Sequence, residues 1–341
     1  MNRERPQAVR KVLIGLCLTI LALVLTGCQA VLGGNRLTQR EAYGIMDTDV
    51  NIKAYGRKAP GAIDRAIDEM KRLDSLLSSF NPESDVALVN AQAGVRPVKV
   101  SPETYQVIER ALYFAEISAG SFDPTIFPVT QLWGIGGPQA RVPSPDEVRG
   151  ALALVDYRKV RLDPTEGSVF LTEKGMALDL GAIAKGYAVD QMAAVIRSLG
   201  VTSFLINAGG NVYAGGAKPD KSPWRVAVTD PRNPAEFMGV MSAHDLAIVS
   251  SGDYERYFEE GGVRYHHILD PKTGYPSRTS KGTTVFLPSS TDADGLSTAL
   301  FILGPEKSED ILSKFPEVGV AFVLPSGDIV TKGIVDNFEF K

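Results

Sequence analysis

Cysteine is almost missing from this chain: 341 residues hold two, Cys17 and Cys28. So few thiols exclude a disulfide framework, and the fold must rest on a buried core, which a chain of this length can supply. Histidine is nearly as rare, at three residues. Two of them, His266 and His267, are adjacent, so on a strand they point to opposite faces; with no cysteine nearby a structural zinc site is disfavoured, and the pair reads as one core residue and one site residue. Neither G-x-G-x-x-G nor G-x-x-x-x-G-K-[ST] occurs, so the dinucleotide and P-loop fingerprints do not apply. No sequence period recurs, which argues against a repeat architecture. Basic residues are in the minority, 36 against 40 acidic ones, and an acidic body argues against nucleic acid as a partner.

What is present starts with a leader. Arg3, Arg5, Arg10 and Lys11 precede an apolar run over residues 12–25 that ends in Leu25-Thr26-Gly27-Cys28. A basic start, a short apolar stretch and small residues before a cut predict a signal peptide over 1–27, because the run is short for a membrane span. The Leu-Thr-Gly-Cys box predicts that Cys28 becomes the first mature residue and carries lipid. The mature chain would then be lipid-anchored to the bacterial membrane facing the periplasm, with outer or inner membrane left open. Cys17 leaves with the leader, so the mature protein has no thiol to pair. Losing four Lys/Arg and Glu4 leaves 32 basic against 39 acidic residues, a net charge of −7. Residues 28–39, with Gly33, Gly34 and Asn35, predict a tether, and residues 40–341 one folded domain.

Along that domain, Ile63, Ala66, Ile67, Met70, Leu73 and Leu77 recur at helical spacing. Ser101-Pro102 and Ser144-Pro145 open two further helices with a cap followed by proline. Residues 43–55, 160–171, 203–206, 224–229 and 246–251 read as strands. Irregular alternation of strands, single helices and long loops predicts an α+β (mixed α/β) domain of mixed sheets flanked by helices.

Two stretches carry chemistry. Residues 179–190, DLGAIAKGYAVD, form a small-residue turn entering a helix. Unpaired amides at such an entrance suit phosphate, with Lys185 adding charge and Gly181 and Gly186 permitting close approach of the main chain to a ligand. A Gly-Ala turn before a helix is equally a packing device. In residues 291–304, Asp294, Ser297 and Thr298 stand at i, i+3 and i+4, so their oxygens share one helix face. That is a partial shell for a hard cation such as Mg2+, or a capping and back-bonding arrangement with no ligand.

Taken together, the motifs resemble the ApbE family of flavin transferases. The resemblance rests on Met46-Asp47-Thr48, residues 79–85 (SFNPESD), residues 120–124 (GSFDP), DLGAIAKGYAVD, residues 207–211 (NAGGN), residues 250–254 (SSGDY), residues 267–271 (HILDP) with Thr273-Gly274, and Asp294 to Thr298. It implies transfer of FMN from FAD onto a Ser or Thr of a target protein, with AMP released. It further implies a cation held by the Ala182 carbonyl, Asp294 and Thr298 with Ser297 close by, and FAD contacts at Met46, Phe80, Ser121, Phe122, Asp123, Asp179, Lys185 and Ile268. His267 falls where the family places a residue important for transfer. With Asp270 it is a candidate base, His267 favoured because its unperturbed pKa of about 6.5 lies near working pH. Asp47 stands where the family usually has glycine, and Phe80 where tyrosine is commoner. Two other readings use the same site: Mg2+-dependent hydrolysis of FAD, and a lipid-anchored FAD-binding protein without turnover. An exported location points to membrane redox subunits as acceptors.

Overall fold

The computed structural model describes residues 36–341, so the leader, Cys28 and most of the expected tether lie outside the described residues. Strand β1 (Leu37–Ile45) nevertheless begins inside the stretch expected to be a tether, because its pairing with β2 (Thr48–Tyr55) runs out to Leu37 opposite Tyr55. Regular structure among the described residues is therefore present from Leu37, before Arg40. The expected strand over 43–55 is instead the end of β1, a turn and all of β2, and the hairpin turns on Met46 and Asp47, both in the left-handed region with φ of 51° and 55°.

The periodic apolar residues between Ile63 and Leu77 form the buried face of α1 (Ala59–Leu77). There follow α2 (Asp85–Ala91), β3 (Val98–Lys99), α3 (Pro102–Ile117), α4 (Phe127–Trp133) and α5 (Pro145–Leu152). Ser101 Oγ accepts the Thr104 amide at the start of α3, and Ser144 with Glu147 closes a full capping box at α5, as the Ser-Pro openings predict. Strands β4 (Val160–Asp163) and β5 (Ser168–Leu171) pair as the hairpin read from sequence, with β3 added at the edge.

The second half supplies α6 (Ala184–Ser198), β6 (Phe204–Ala208), β7 (Asn211–Gly215), β8 (Trp224–Asp230), β9 (Asn233–Ala243), β10 (Leu246–Gly252), β11 (Tyr257–Glu260) and β12 (Val263–His266). It closes with β13 (Gly282–Leu287), α7 (Ser290–Leu303), the short α8 (Glu309–Leu312), β14 (Gly319–Val323), β15 (Ile329–Gly333) and β16 (Phe338–Phe340). Strands β1, β2, β6, β7, β10, β13, β14 and β15 form, in that order, one antiparallel sheet.

Side-chain alternation splits that sheet between two cores. Ala247 and Val249, Val285 and Leu287, and Val320 and Phe322 face α1, α6 and α7; Ile248, Phe286, Ala321 and Val323 face the small sheet β8–β9–β16 through Trp224, Met241 and Phe338. Period two sends neighbours to opposite faces, and when both faces are covered the strand becomes one apolar run. The result is a three-layer α+β domain, helices over a large sheet over a small one. A satellite core under the 266–277 loop packs Trp133 against Tyr265 and Tyr275, and Trp133 Nε1 donates to the Gly274 carbonyl at 2.7 Å. This anchor holds the His266–Asp270 stretch against α4.

Candidate active site

The 179–185 turn is sewn into place from both sides. The Asp179 amide donates to the Pro124 carbonyl at 2.7 Å, and Asn90 holds Leu178 through both its amide and carbonyl at 2.6 and 3.0 Å. Asp179 Oδ1 then accepts the Gly181 amide at 2.9 Å, a local turn that leads into α6. Burial pushes the Asp179 carboxyl above its usual range, opposed by that amide and by the Lys185 charge. Lys185 Nζ donates back to the Gly181 carbonyl at 3.2 Å.

Helix α6 begins at Ala184, inside the 179–190 stretch, with Ile183 at the cap position and no side-chain cap. Three of the amides at its start are already taken. Those of Ile183 and Ala184 turn back to the Leu180 carbonyl, and that of Gly186 donates to Asp294 Oδ2 at 2.8 Å. The anion at this helix start is thus the Asp294 carboxylate, which is 4% exposed. Gly186 also departs from expectation, since its close approach is to α7 rather than to a ligand: a Cβ there would lie 2.6 Å from Asp294 Cβ and against the Ser290 carbonyl.

Diverting the Gly186 amide has a second effect. In a regular helix that amide would bond the carbonyl four residues back, which is Ala182; among the described residues no backbone amide reaches the Ala182 carbonyl. A free carbonyl, the remaining oxygen of a buried carboxylate and the half-buried Thr298 hydroxyl are all hard oxygen donors. No group of three His, Cys, Asp or Glu suited to a metal occurs among the described residues, so a cation here would complete its shell from phosphate oxygens and water. That donor set fits Mg2+. Ser297 is fully buried and committed: its Oγ donates to the Asp294 carbonyl at 2.9 Å and lies 2.8 Å from Ser251 Oγ. Ser251 also lies 3.4 Å from Thr298 Oγ1. It is a site residue that sequence reasoning left unassigned, although its motif at the end of β10 was visible.

The two histidines differ in burial, and His266 takes the core position expected of one of them. His266 is 1% exposed, donates from Nε2 to the Ser277 carbonyl at 2.7 Å, and accepts the Ile268 amide on Nδ1. Burial pulls its pKa down to about 4. His267 is half-buried, and its Nδ1 lies 3.3 Å from the Arg256 carbonyl. A carbonyl only accepts, so Nδ1 carries the proton and Nε2 keeps a lone pair. Burial, helped by Arg256, Lys185 and His266, lowers the His267 pKa to about 3, far below the unperturbed value assumed from sequence. The ring is neutral throughout the physiological range. Asp270, the other candidate base, is occupied as a turn former, its Oδ1 accepting the Lys272 amide at 2.9 Å.

The expected flavin contacts separate into open and committed groups. Phe80 is 70% exposed, its one aromatic partner among the described residues is Phe127, edge to face, and it presents an open ring face. Phe122 is 3% exposed and belongs to the core, so only its main chain can meet a ligand. Asp123 is buried and spends both oxygens locally, Oδ1 on Thr125 at 2.6 and 2.8 Å and Oδ2 on the Tyr157 amide at 3.1 Å. Ser121 Oγ meets Lys272 Nζ at 3.4 Å, and the Ile268 side chain is buried. Arg256 donates to the Asp47 carbonyl at 3.2 Å and steadies the left-handed turn that carries Met46. Glu255 beside it is exposed but crowded by protein, and desolvation, with Asp294 acting the same way against Lys185 and Arg256, lifts its carboxyl to about 7. Nothing in the sequence distinguished Glu255 or Arg256 from ordinary surface charge.

The stretch that holds these residues is similar to known proteins. A family model described as the ApbE family matches residues 46–322, from the Met46 turn into β14. The FAD:protein FMN transferase of Treponema pallidum is 37% identical over 338 residues, which cover 93% of this chain and 93% of the relative. Among solved structures, the ApbE protein of Thermotoga maritima superposes with a TM-score of 0.80 at 35% identity, covering 86% of this chain and 96% of that one. The apo flavinyl transferase ApbE of Pseudomonas stutzeri gives 0.76 at 31% identity, over 87% and 94%.

Proposed function

The chain belongs to the ApbE family, and we propose that it transfers the FMN half of FAD to a Ser or Thr hydroxyl of a target protein with Mg2+ bound, releasing AMP. The observation that carries this reading is that the Gly186 amide goes to Asp294, which leaves the Ala182 carbonyl of the same turn without a backbone partner among the described residues. Ala182, Asp294 and Thr298 would hold Mg2+, with Ser297 and Ser251 fixing the Thr298 side. Mg2+ at that position would supply positive charge to the pyrophosphate oxygens of FAD.

The chain's own residues do the rest. Lys185 stands at the same turn and adds a positive charge near the pyrophosphate. Phe80 offers its open face to the isoalloxazine ring, and Met46, Asp179, Lys185 and the main chain at residues 121–123 and 268 line the cleft. His267 Nε2 takes the proton of the acceptor hydroxyl as its oxygen attacks the FMN-side phosphorus, and the phosphorus–oxygen bond to AMP breaks. The pyrophosphate charge raises the His267 pKa from its ligand-free value of about 3, which suits a base that must hold the proton only once substrate is in place. The acceptor is a protein, and an exported, lipid-anchored enzyme fits redox subunits at the membrane; Cys28 would carry the anchor.

Incubating the purified protein with FAD and Mg2+, with and without a Thr-containing acceptor domain, tests the reading through AMP release and covalent flavin fluorescence. Labelled acceptor together with AMP supports transfer. AMP without any acceptor would make the protein a hydrolase, and FAD binding with no AMP in either arm would make it a flavin carrier.

A further inference from the structure

Asp190, one turn beyond Gly186 on α6, reaches across to the start of α7. Its carboxylate accepts the Ser290 and Thr291 amides, both at 2.9 Å, the Thr291 hydroxyl at 2.6 Å and the Ser289 hydroxyl at 3.3 Å. Helix α7 already has a local cap, since Ser289 Oγ accepts the Asp292 amide at 3.1 Å. A second cap from another helix is more than α7 needs to form.

Its position gives it another consequence. Gly186 and Asp190 are four residues apart on one face of α6, and Ser290 and Asp294 are four apart on one face of α7. Gly186 bonds Asp294 while Asp190 bonds the 289–291 start. The two helices thus run antiparallel along a two-rung seam, with one rung at the metal donors and the other a helical turn, about 5 Å, away. The first rung fixes α7 to α6 at Asp294 alone, while Ser251 holds its Ser297–Thr298 side to β10. The second fixes the first turn of α7 on α6 as well, and so opposes sliding of Asp294 and Thr298 relative to the Ala182 carbonyl.

We propose that Asp190 is a positioning residue that sets the register of α7 on α6 and so fixes the distance between the Asp294–Thr298 face and the Ala182 carbonyl, without touching metal or FAD. This rests on the metal reading above. Partners that orient ligands from outside the shell change metal affinity by about 10- to 100-fold when removed, which sets the scale of the expected effect.

The test is Mg2+ binding to the full mature chain by isothermal titration, alongside the Mg2+ concentration for half-maximal AMP release, for wild type, Asp190→Asn, Thr291→Val and Asp292→Asn. Asp292 is the control: it pairs with Arg110 of α3 at 2.7 Å from the same helix start, so its loss loosens α7 without touching the seam. Asp190→Asn is expected to weaken Mg2+ binding by about 10- to 100-fold and to raise the half-maximal Mg2+ by the same factor, with kcat at saturating Mg2+ within about threefold. Thr291→Val, which removes one donor to Asp190, shifts both the same way by less and decides the matter if Asp190→Asn does not fold. Asp292→Asn binds Mg2+ as wild type does. Wild-type affinity in Asp190→Asn, or an equal loss in Asp292→Asn, would overturn the positioning role alone. Wild-type protein that binds no Mg2+ would overturn the metal reading and this inference with it.

Discussion

The Gly186 amide donates to Asp294 Oδ2 at 2.8 Å, so the start of one helix binds the carboxylate of another and in doing so frees a carbonyl. Helix α6 and α7 can approach this closely only because position 186 has no side chain. Gly186→Ala is expected to force them apart at a cost of about 1–3 kcal/mol, the range for overpacking. Chemical denaturation reads that loss, and Mg2+ titration of the folded fraction should show weakened binding at the same time.

Within the donor set the side chains and the main chain separate cleanly. Asp294→Ala should abolish Mg2+-dependent transfer, since it removes both the charge and the partner of the Gly186 amide. Ala182→Ser, which leaves the carbonyl in place, should stay within about threefold of wild type, because a modest surface change seldom moves the backbone. Comparable losses in the two variants would remove the carbonyl from the shell.

His267→Ala, assayed with FAD and Mg2+ saturating, should lower the rate of acceptor labelling by about 10²- to 10⁴-fold, the usual worth of a positioned base. FAD affinity measured by flavin fluorescence should change little. An unchanged labelling rate would leave the acceptor proton without its taker.

Two buried or crowded groups give opposite pH signatures. His266 titrates near 4 in the folded chain against about 6.5 when unfolded, so the unfolded state binds more protons between those values and stability falls as pH drops through that window. His266→Gln should be less stable near neutrality yet show a shallower acid limb in denaturation curves collected from pH 4 to 7. Glu255, raised from 4.5 to about 7, works the other way: its contribution is present below pH 4.5 and is lost as pH rises through 7. Glu255→Gln should therefore gain stability relative to wild type at pH 8 and not at pH 4.

Asp47 holds a left-handed φ of 55°, a conformation that costs a non-glycine residue roughly 1–2 kcal/mol, less for Asp than for bulkier side chains. Glycine gives part of that back in unfolded-state entropy, about 0.4–1 kcal/mol. Asp47→Gly should accordingly raise the melting temperature by a small amount, of order 1 °C. A fall would mean that the Arg256 contact to the Asp47 carbonyl depends on the aspartate side chain.

Much of this was legible along the chain. The stripe from Ile63 to Leu77, the Ser-Pro caps and the Asp294–Thr298 spacing are local signals, written in a period of 3.6 or a fixed cap offset, and each produced the helix it announced. Strands β13 and β14 were missed for a physical reason. Both are covered on two faces, so Val285 and Phe286, or Phe322 and Val323, are apolar in succession and the period-two signal disappears. The left-handed Met46-Asp47 turn was visible as an interruption, but its sense as a hairpin required the pairing of Leu37 with Tyr55.

For the site, sequence alone determined which residue types were present and in what order, and through order the family. It could place three oxygens on one face of α7 because helical geometry is local. Only the tertiary structure decided that the Gly186 amide at this helix start would go to the Asp294 carboxylate, that Ala182 would keep a free carbonyl, and that burial would keep His267 neutral. Those outcomes depend on the distance between helices more than 100 residues apart in sequence and on the desolvation their packing imposes, and neither quantity is carried by any single stretch of the chain.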